Sequence, residues 1–126
     1  MKTAEEYLRD LWNECFNYDL QHPNRGHLPT INVLRKSEWS EEFERAMRYR
    51  LIMGAFRYGQ LGGKDKPSYD RLNCMKRRIE QYQKDGNQEH LVDIANLALC
   101  EFVEGDHPKK HFKSIDDGNH TEKVKR

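Results

Sequence analysis

The sequence predicts an all-α protein, a four-helix bundle with an irregular loop after its first helix. Apolar residues recur at intervals of three and four in four separate segments, a spacing typical of helices that bury one face. Glycine, proline or a short polar residue stands near the ends of these segments, where helices are usually capped. Apolar residues make up 36% of the chain and charged residues 34%, which suits helices with a narrow apolar stripe.

The first predicted helix runs from about Ala4 to Tyr18. Thr3 and Glu6 have the spacing of a capping box, in which each side chain binds the other residue's backbone N–H. The next segment, residues 21–36, is predicted as a loop with a short extended piece at 30–34. Its helix-breaking residues are Pro23, Gly26 and Pro29.

Three further helices are predicted. The second begins at Ser37 or Ser40 and ends at Tyr58, before Gly59. The third and the fourth cover about 67–85 and 88–103. We expect residues 1–106 to form a single helical domain. Residues 107–126 are expected to be a polar, flexible tail, with the last dozen residues disordered.

Charge and composition exclude several classes of protein. The 22 basic and 21 acidic residues give a net charge of +1, so no overall field favours nucleic acid or a membrane surface. The first residues do not resemble a signal peptide, and the apolar stretch at 94–100 is too short to span a bilayer. The 3 cysteines lack C-x-x-C spacing and are expected to be reduced. These observations predict a cytoplasmic protein.

The fourth predicted helix carries a polar stripe in an otherwise apolar segment. Glu89, Asp93, Asn96 and Cys100 share one helical face, whereas Glu101 lies beyond the edge of that face. A carboxylate inside a bundle is costly unless it is paired or bound to a metal. Asp93 is therefore expected to have a partner or a function.

The second predicted helix offers partners for this stripe. Arg50 and Arg57 fall on its apolar side, and Gly54 between them leaves room for a helix or a ligand. One interpretation is a structural seam, in which either arginine pairs with Asp93 or Glu101. The other is a site where the arginines bind phosphate and the carboxylates hold a divalent ion.

The run SEWSEEFERAMRYR, followed later by EHLVDIANLALCEF, resembles the MazG-like superfamily of all-α nucleoside triphosphate pyrophosphatases, over about residues 37–104. In that family the motifs E-E-x-x-E and E-x-x-D hold magnesium for hydrolysis of nucleoside triphosphates. Here the first motif is E-E-x-E, and His90 stands where the nearer glutamate of the second is expected. A Tyr-Gly ending to the long helix, at Tyr58 and Gly59, is similar to small phage proteins of nucleotide modification.

The resemblance implies a nucleotide-binding domain that could act as a magnesium-dependent pyrophosphatase. Asp93 and Glu89 would be catalytic, and Glu44 would join them in holding Mg²⁺. Arg50, Arg57 and Lys64 would contact phosphates. Asn96 and Glu101 are expected to belong to the structural part of the seam.

The incomplete motifs leave a second function open, a non-enzymatic phage-encoded protein that inhibits a host or defence protein. Trp39, Tyr49 and Phe56 could supply the binding hot spots on the outer face of the second helix, or could instead pack against the first helix, which is the more frequent outcome. Homo-oligomers are also expected. Nucleic-acid binding is not favoured, because acidic residues are interspersed among the basic ones.

Overall fold

The computed structural model describes residues 2–21, 28–64, 66–113 and 124, and every regular element in these ranges is an α-helix. The helices are α1 Ala4–Gln21, α2 Ile31–Ser37, α3 Glu41–Tyr58, α4 Arg71–Asp85 and α5 Glu89–Glu104. The prediction of an all-α fold is thus confirmed for the described residues. None of these helices is long and apolar enough to cross a membrane.

The segment predicted as a loop after the first helix contains α2, so the described chain has five helices where four were predicted. Thr30 is the N-cap of α2, and its hydroxyl accepts a hydrogen bond from the N–H of Val33 at 3.3 Å. The prediction of an extended piece at 30–34 is wrong, because this cap directly after Pro29 begins a short helix. Residues 22–27, with Pro23 and Gly26, lie outside the described residues.

Polar side chains also cap the starts of α1, α3 and α4. The capping box of α1 is present, since the N–H of Thr3 donates to Glu6 and the N–H of Glu6 donates to Thr3, each at 3.2 Å. Of the two alternatives for α3, Ser40 is the cap, and its hydroxyl accepts from the N–H of Phe43 at 3.1 Å. Asp70 caps α4, which begins a few residues later than predicted.

α4 and α5 are joined by a short connection and pack against each other. Gly86 ends α4 with a φ of +68°, a left-handed conformation that glycine adopts without strain. Its N–H donates to the carbonyl of Tyr82 at 2.8 Å. Beyond the connection, His90 is buried with its Nε2 atom 3.0 Å from Oδ2 of Asp85. The ring of His90 thus turns back onto the end of α4.

The contacts within the chain divide it into two units, residues 1–48 and 49–126, and the boundary falls inside α3. In the first unit, the indole N–H of Trp12 donates to the carbonyl of Pro29 at 2.9 Å. The second unit contains the α4–α5 pair, where Val92 is 7% exposed. Val92 is the only described apolar side chain classed as buried, so most apolar side chains keep contact with solvent.

The beginning of the predicted tail forms a turn in the second unit. The N–H of Lys110 donates to the carbonyl of His107 at 3.0 Å. The ammonium of Lys110 reaches back to the carbonyls of Val103 and Gly105, at 3.3 and 3.1 Å. Apart from Val124, the last dozen residues, for which disorder was predicted, lie outside the described residues.

Candidate functional site

The polar stripe of α5 is buried at its centre. Asp93 and Asn96 are buried beside Val92, Cys100 is half-buried and Glu89 is exposed in the first turn. Burial raises the pKa of the Cys100 thiol. The positive charges of Arg71 and Lys66 lower this pKa, but by less than burial raises it. A buried carboxylate needs a compensating charge, so the surroundings of Asp93 decide what the stripe can do.

Asp93 is held by arginines from two other helices. The Nε–H of Arg50, on α3, donates to Oδ1 of Asp93 at 3.2 Å, and Nη2 of Arg50 lies 3.2 Å from Oε1 of Glu89. Nε of Arg78, on α4, lies 3.7 Å from Oδ2 of Asp93. We call these four residues the Arg50–Asp93 network. Two positive and two negative charges therefore balance across α3, α4 and α5.

One atom of the network has spare bonding capacity. Oδ2 of Asp93 is buried and accepts no hydrogen bond from a described residue, because Nε of Arg78 is too distant for one. The arginines themselves are open to water, with 31% of the Arg50 side chain and 40% of the Arg78 side chain exposed. Oδ2 itself is closed to solvent, so a cation, water or ligand donor reaches this carboxylate only when one of the arginines moves aside.

The other predicted site residues do not all join the network. Arg57 and Lys64 are exposed and make no ion pair within the described part of the chain. Glu101 lies 3.7 Å from Nη1 of Arg71, not beside Arg50 or Arg57.

Glu44, the third predicted magnesium ligand, belongs to the first unit and has partners there. Its carboxylate accepts from the guanidinium of Arg48 at 2.9 Å and from the indole N–H of Trp39 at 3.2 Å. These hydrogen bonds, that from Arg48 above all, lower the pKa of Glu44. Within the described ranges, no three His, Cys, Asp or Glu side chains form a group that could hold a metal ion.

A second charged cluster, not identified from the sequence, lies at the end of α5. Nζ of Lys66 is 2.8 Å from Oε1 of Glu104, and the guanidinium of Arg71 binds the same oxygen. The N–H of Gly62 donates to Oε2 of Glu104 at 3.0 Å. We call these four residues, with Glu101 beside Arg71, the Glu104 cluster. Lys66 first and then the Gly62 N–H lower the pKa of Glu104.

The Glu104 cluster fastens the glycine-rich segment between α3 and α4 to the end of α5. Gly62 has a φ of +75°, a conformation that favours glycine and that turns its N–H toward the carboxylate. The spacing of Glu101 and Glu104, three residues apart on one helical face, was a usable signal. No signal in the sequence indicated the identity of their cationic partners, since this depends on the path of the intervening chain.

The outer side of α3 exposes a row of apolar side chains at helical spacing. Tyr49 and Ile52 are each 66% exposed, Met53 is 43% exposed and Phe56 is 94% exposed. We call these four residues the α3 face; all of them lie in the second unit. Trp39, predicted as a hot spot with Tyr49 and Phe56, is 60% exposed in the first unit.

Comparison of the chain with protein-family models, with curated proteins and with solved structures finds no match.

Proposed function

We propose that this protein is a non-enzymatic binding domain that attaches to a partner protein through the α3 face. The observation that supports this function is the exposure of Tyr49, Ile52, Met53 and Phe56 in one continuous stripe. Single exposed apolar residues are ordinary, but a contiguous row with two aromatic rings is typical of interaction sites. Inhibition of a host or defence protein by a phage-type protein would be binding of this kind.

The size of the face fits the centre of an interface. With the usual areas of such side chains, the exposed fractions amount to roughly 500 Å² of apolar surface. A standard interface buries about 800 Å² on each partner, with an apolar centre and a polar rim. The α3 face thus supplies the centre of such a patch, and its two aromatic side chains belong to the residue types that are enriched at interfaces.

The positive charge of Arg57, next to the α3 face, indicates which side chains the partner should present. Arg57 directly follows Phe56, is exposed and has no carboxylate partner among the described residues. A bound protein that places a carboxylate beside its apolar surface would satisfy this guanidinium. The partner is therefore a protein with an apolar patch that is flanked by acidic side chains.

The experiment isolates the partner from the native host with tagged full-length protein, then repeats the capture with the variants Phe56→Ser and Tyr49→Ser. Leu20→Ser is the matched control, because Leu20 is 64% exposed on α1 and lies outside the α3 face. We expect a stoichiometric partner that is lost with both α3 variants and retained with Leu20→Ser. Light scattering measures the mass of the pure protein in parallel.

Two results would overturn this function. The first is a partner that is retained by both α3 variants, or no partner at all. The second is a pure protein of double mass that becomes monomeric with Phe56→Ser, since the face would then be occupied by a second copy of the chain.

A second candidate function, nucleotide binding with magnesium, is supported by the Oδ2 atom of Asp93, which accepts no hydrogen bond from a described residue. Carboxylate oxygens are the ligands that Mg²⁺ prefers, so Asp93 and Glu89 fit the ion chemically once Arg50 turns away from them. The ion would neutralise charge on a phosphoanhydride, while Arg50 would be released to contact a phosphate oxygen.

Incubation of the protein with a panel of nucleoside triphosphates and Mg²⁺ tests this second function. If the protein has this second function, it releases pyrophosphate or its Tm rises with one nucleotide. That activity or Tm rise should be lost in Asp93→Asn. The change Glu80→Gln, at an exposed position on α4, should retain it. A Tm that is identical with and without every nucleotide, and no pyrophosphate, would exclude this function.

A further inference from the structure

The turn after α5 forms one wall of a groove with a volume of about 580 Å³. Its apolar surface comes from Leu72 on α4, Phe102 on α5 and Phe112 after the turn. The two phenylalanine rings meet edge to face, with their centroids 6.3 Å apart. Both rings and Leu72 are largely exposed, so the groove lacks an occupant from the described part of the chain.

Hydrogen bonds hold the turn in one conformation. Besides the backbone bond from Lys110 to His107, the N–H of Lys109 donates to Nδ1 of His107 at 3.0 Å. Nδ1 of His111 lies 2.7 Å from the carbonyl oxygen of Lys109, and because a carbonyl only accepts, this nitrogen carries the proton. The groove therefore has a wall that is ordered before any ligand arrives, which lowers the entropic cost of binding.

Positive charge lies beside the apolar surface, on Lys109 and Lys110, with the rings of His107 and His111 next to them. Lys110 is committed in part to the carbonyls at the end of α5, whereas no described residue binds the ammonium of Lys109. Glu101, the one acidic side chain among the described residues that line the groove, is already beside Arg71. The unpaired charge at the edge of the groove is thus positive.

We propose that this groove binds an acidic peptide segment of a protein, with one large apolar side chain placed between Leu72, Phe102 and Phe112. The carboxylates of the segment would pair with Lys109 and the neighbouring donors of the turn. A nucleotide fits less well, because its base edges and sugar hydroxyls need hydrogen-bond partners that an apolar surface does not supply. An apolar side chain needs none.

This site uses no residue of the α3 face, so it can be tested separately from the proposed function. The probe is a fluorescein-labelled peptide of aspartate and glutamate residues around one tryptophan and one leucine. Its binding to the full-length protein is followed by fluorescence anisotropy at low salt and at about 0.15 M salt. The comparison probes are the same peptide with serine in place of tryptophan and leucine, and single-stranded oligothymidylate.

Two variants and one control test the assignment. Phe112→Ser and Lys109→Glu change exposed side chains and should fold normally. Lys113→Glu makes the same charge change as Lys109→Glu at an exposed position that does not line the groove. We expect the acidic apolar peptide to bind and each groove variant to weaken binding about tenfold or more. Lys113→Glu should weaken it less than about threefold.

Each remaining outcome overturns the assignment. No binding of the acidic apolar peptide removes the site. Equal binding of the serine peptide shows that the groove takes no apolar anchor. Equal losses in Lys113→Glu and Lys109→Glu would show attraction by overall charge, and stronger binding of oligothymidylate would assign the groove to nucleic acid.

Discussion

The two charged clusters on α5 contain the same kinds of group but differ in their access to solvent. The Arg50–Asp93 network near the start of the helix and the Glu104 cluster at its end each join two cations to two carboxylates. In the first, 31% and 40% of the two arginine side chains are exposed. In the second, Lys66 and Arg71 are only 11% and 9% exposed.

This difference in solvation separates two roles for the same chemistry. An enclosed pair of charges loses much stability when one partner is removed, because the other is left without water or counter-charge. A pair whose cations are hydrated loses less, because water compensates those cations when the carboxylate is removed. The Glu104 cluster is therefore a structural fastening of the segment between α3 and α4, while the Arg50–Asp93 network keeps the capacity to exchange partners.

The largest expected effect is that of Arg71→Ala. Arg71 lies between Glu101 and Glu104, so its removal leaves two carboxylates at the end of α5, with Lys66 as the remaining cation among the described residues. We expect the free energy of unfolding to fall by about 3 kcal/mol. Urea denaturation followed by circular dichroism measures it.

Arg77→Ala is the control for this change, since Arg77 lies exposed on the same helix. It should cost less than about 0.5 kcal/mol. A similar loss in both variants would mean that arginine side chains on α4 stabilise the helix itself and that the Glu104 cluster is not a fastening.

Asp93→Ala should have the next largest effect, a loss of about 2 kcal/mol. Arg50 and Arg78 lose their shared carboxylate, but water reaches both guanidinium groups and compensates in part. Asp93→Asn should lose less than Asp93→Ala, since an amide oxygen can still accept from Nε of Arg50. If Asp93→Ala costs more than Arg71→Ala in the same denaturation experiment, the assignment of the network as the more open cluster is wrong.

Helical spacing indicated part of the Arg50–Asp93 network but did not identify the Glu104 cluster, and the reason is physical. Helical geometry fixes which residues share a face, so spacing alone indicated that Asp93 needs a partner and that Arg50 and Arg57 were candidates, and the structure pairs Asp93 with Arg50. Arg57 is on the same side of α3, but the helix ends one residue later, and no described carboxylate pairs with it.

The elements that were missed depend on chain paths or on single side chains. The pairing of Lys66 with Glu104 requires a particular route through the glycine-rich segment, which periodicity does not specify. The helix α2 depends on one cap at Thr30, and local patterns place such short elements poorly. By contrast, Tyr49 and Phe56 are exposed on the outer side of α3, where helical spacing placed them, and their role as binding hot spots stays a prediction.

The next effect, smaller than that of Asp93→Ala, is the pH dependence of the stability that the Glu104 carboxylate contributes. Its cationic and N–H partners hold the pKa of Glu104 below its usual value of 4.5, so its contribution is fully present above that pH. The contribution is lost as the pH falls through the lower pKa of the folded state. We therefore expect the difference in Tm between the protein and Glu104→Gln to shrink below about pH 4.

Thermal melts of both proteins from about pH 3 to pH 7 measure this difference. Asp85, whose pKa is also lowered, chiefly by the N–H of Asn87, titrates in both proteins and cancels in the comparison. A Tm difference that stays constant down to the lowest pH would show that the charge of Glu104 does not stabilise the fold.

The smallest expected effect on stability is that of Glu89→Gln. This variant tests whether Arg50 depends on Glu89 as much as on Asp93. The Glu89 side chain is 53% exposed, and ion pairs at such positions contribute little to stability. We expect a loss below about 0.5 kcal/mol in urea denaturation, because Asp93 alone keeps Arg50 in place. A loss above about 1 kcal/mol would mean that Arg50 needs both carboxylates and that the network is as closed as the Glu104 cluster. Since Glu89→Gln should leave the fold intact, it also removes one proposed magnesium ligand without the loss of stability expected for Asp93→Ala.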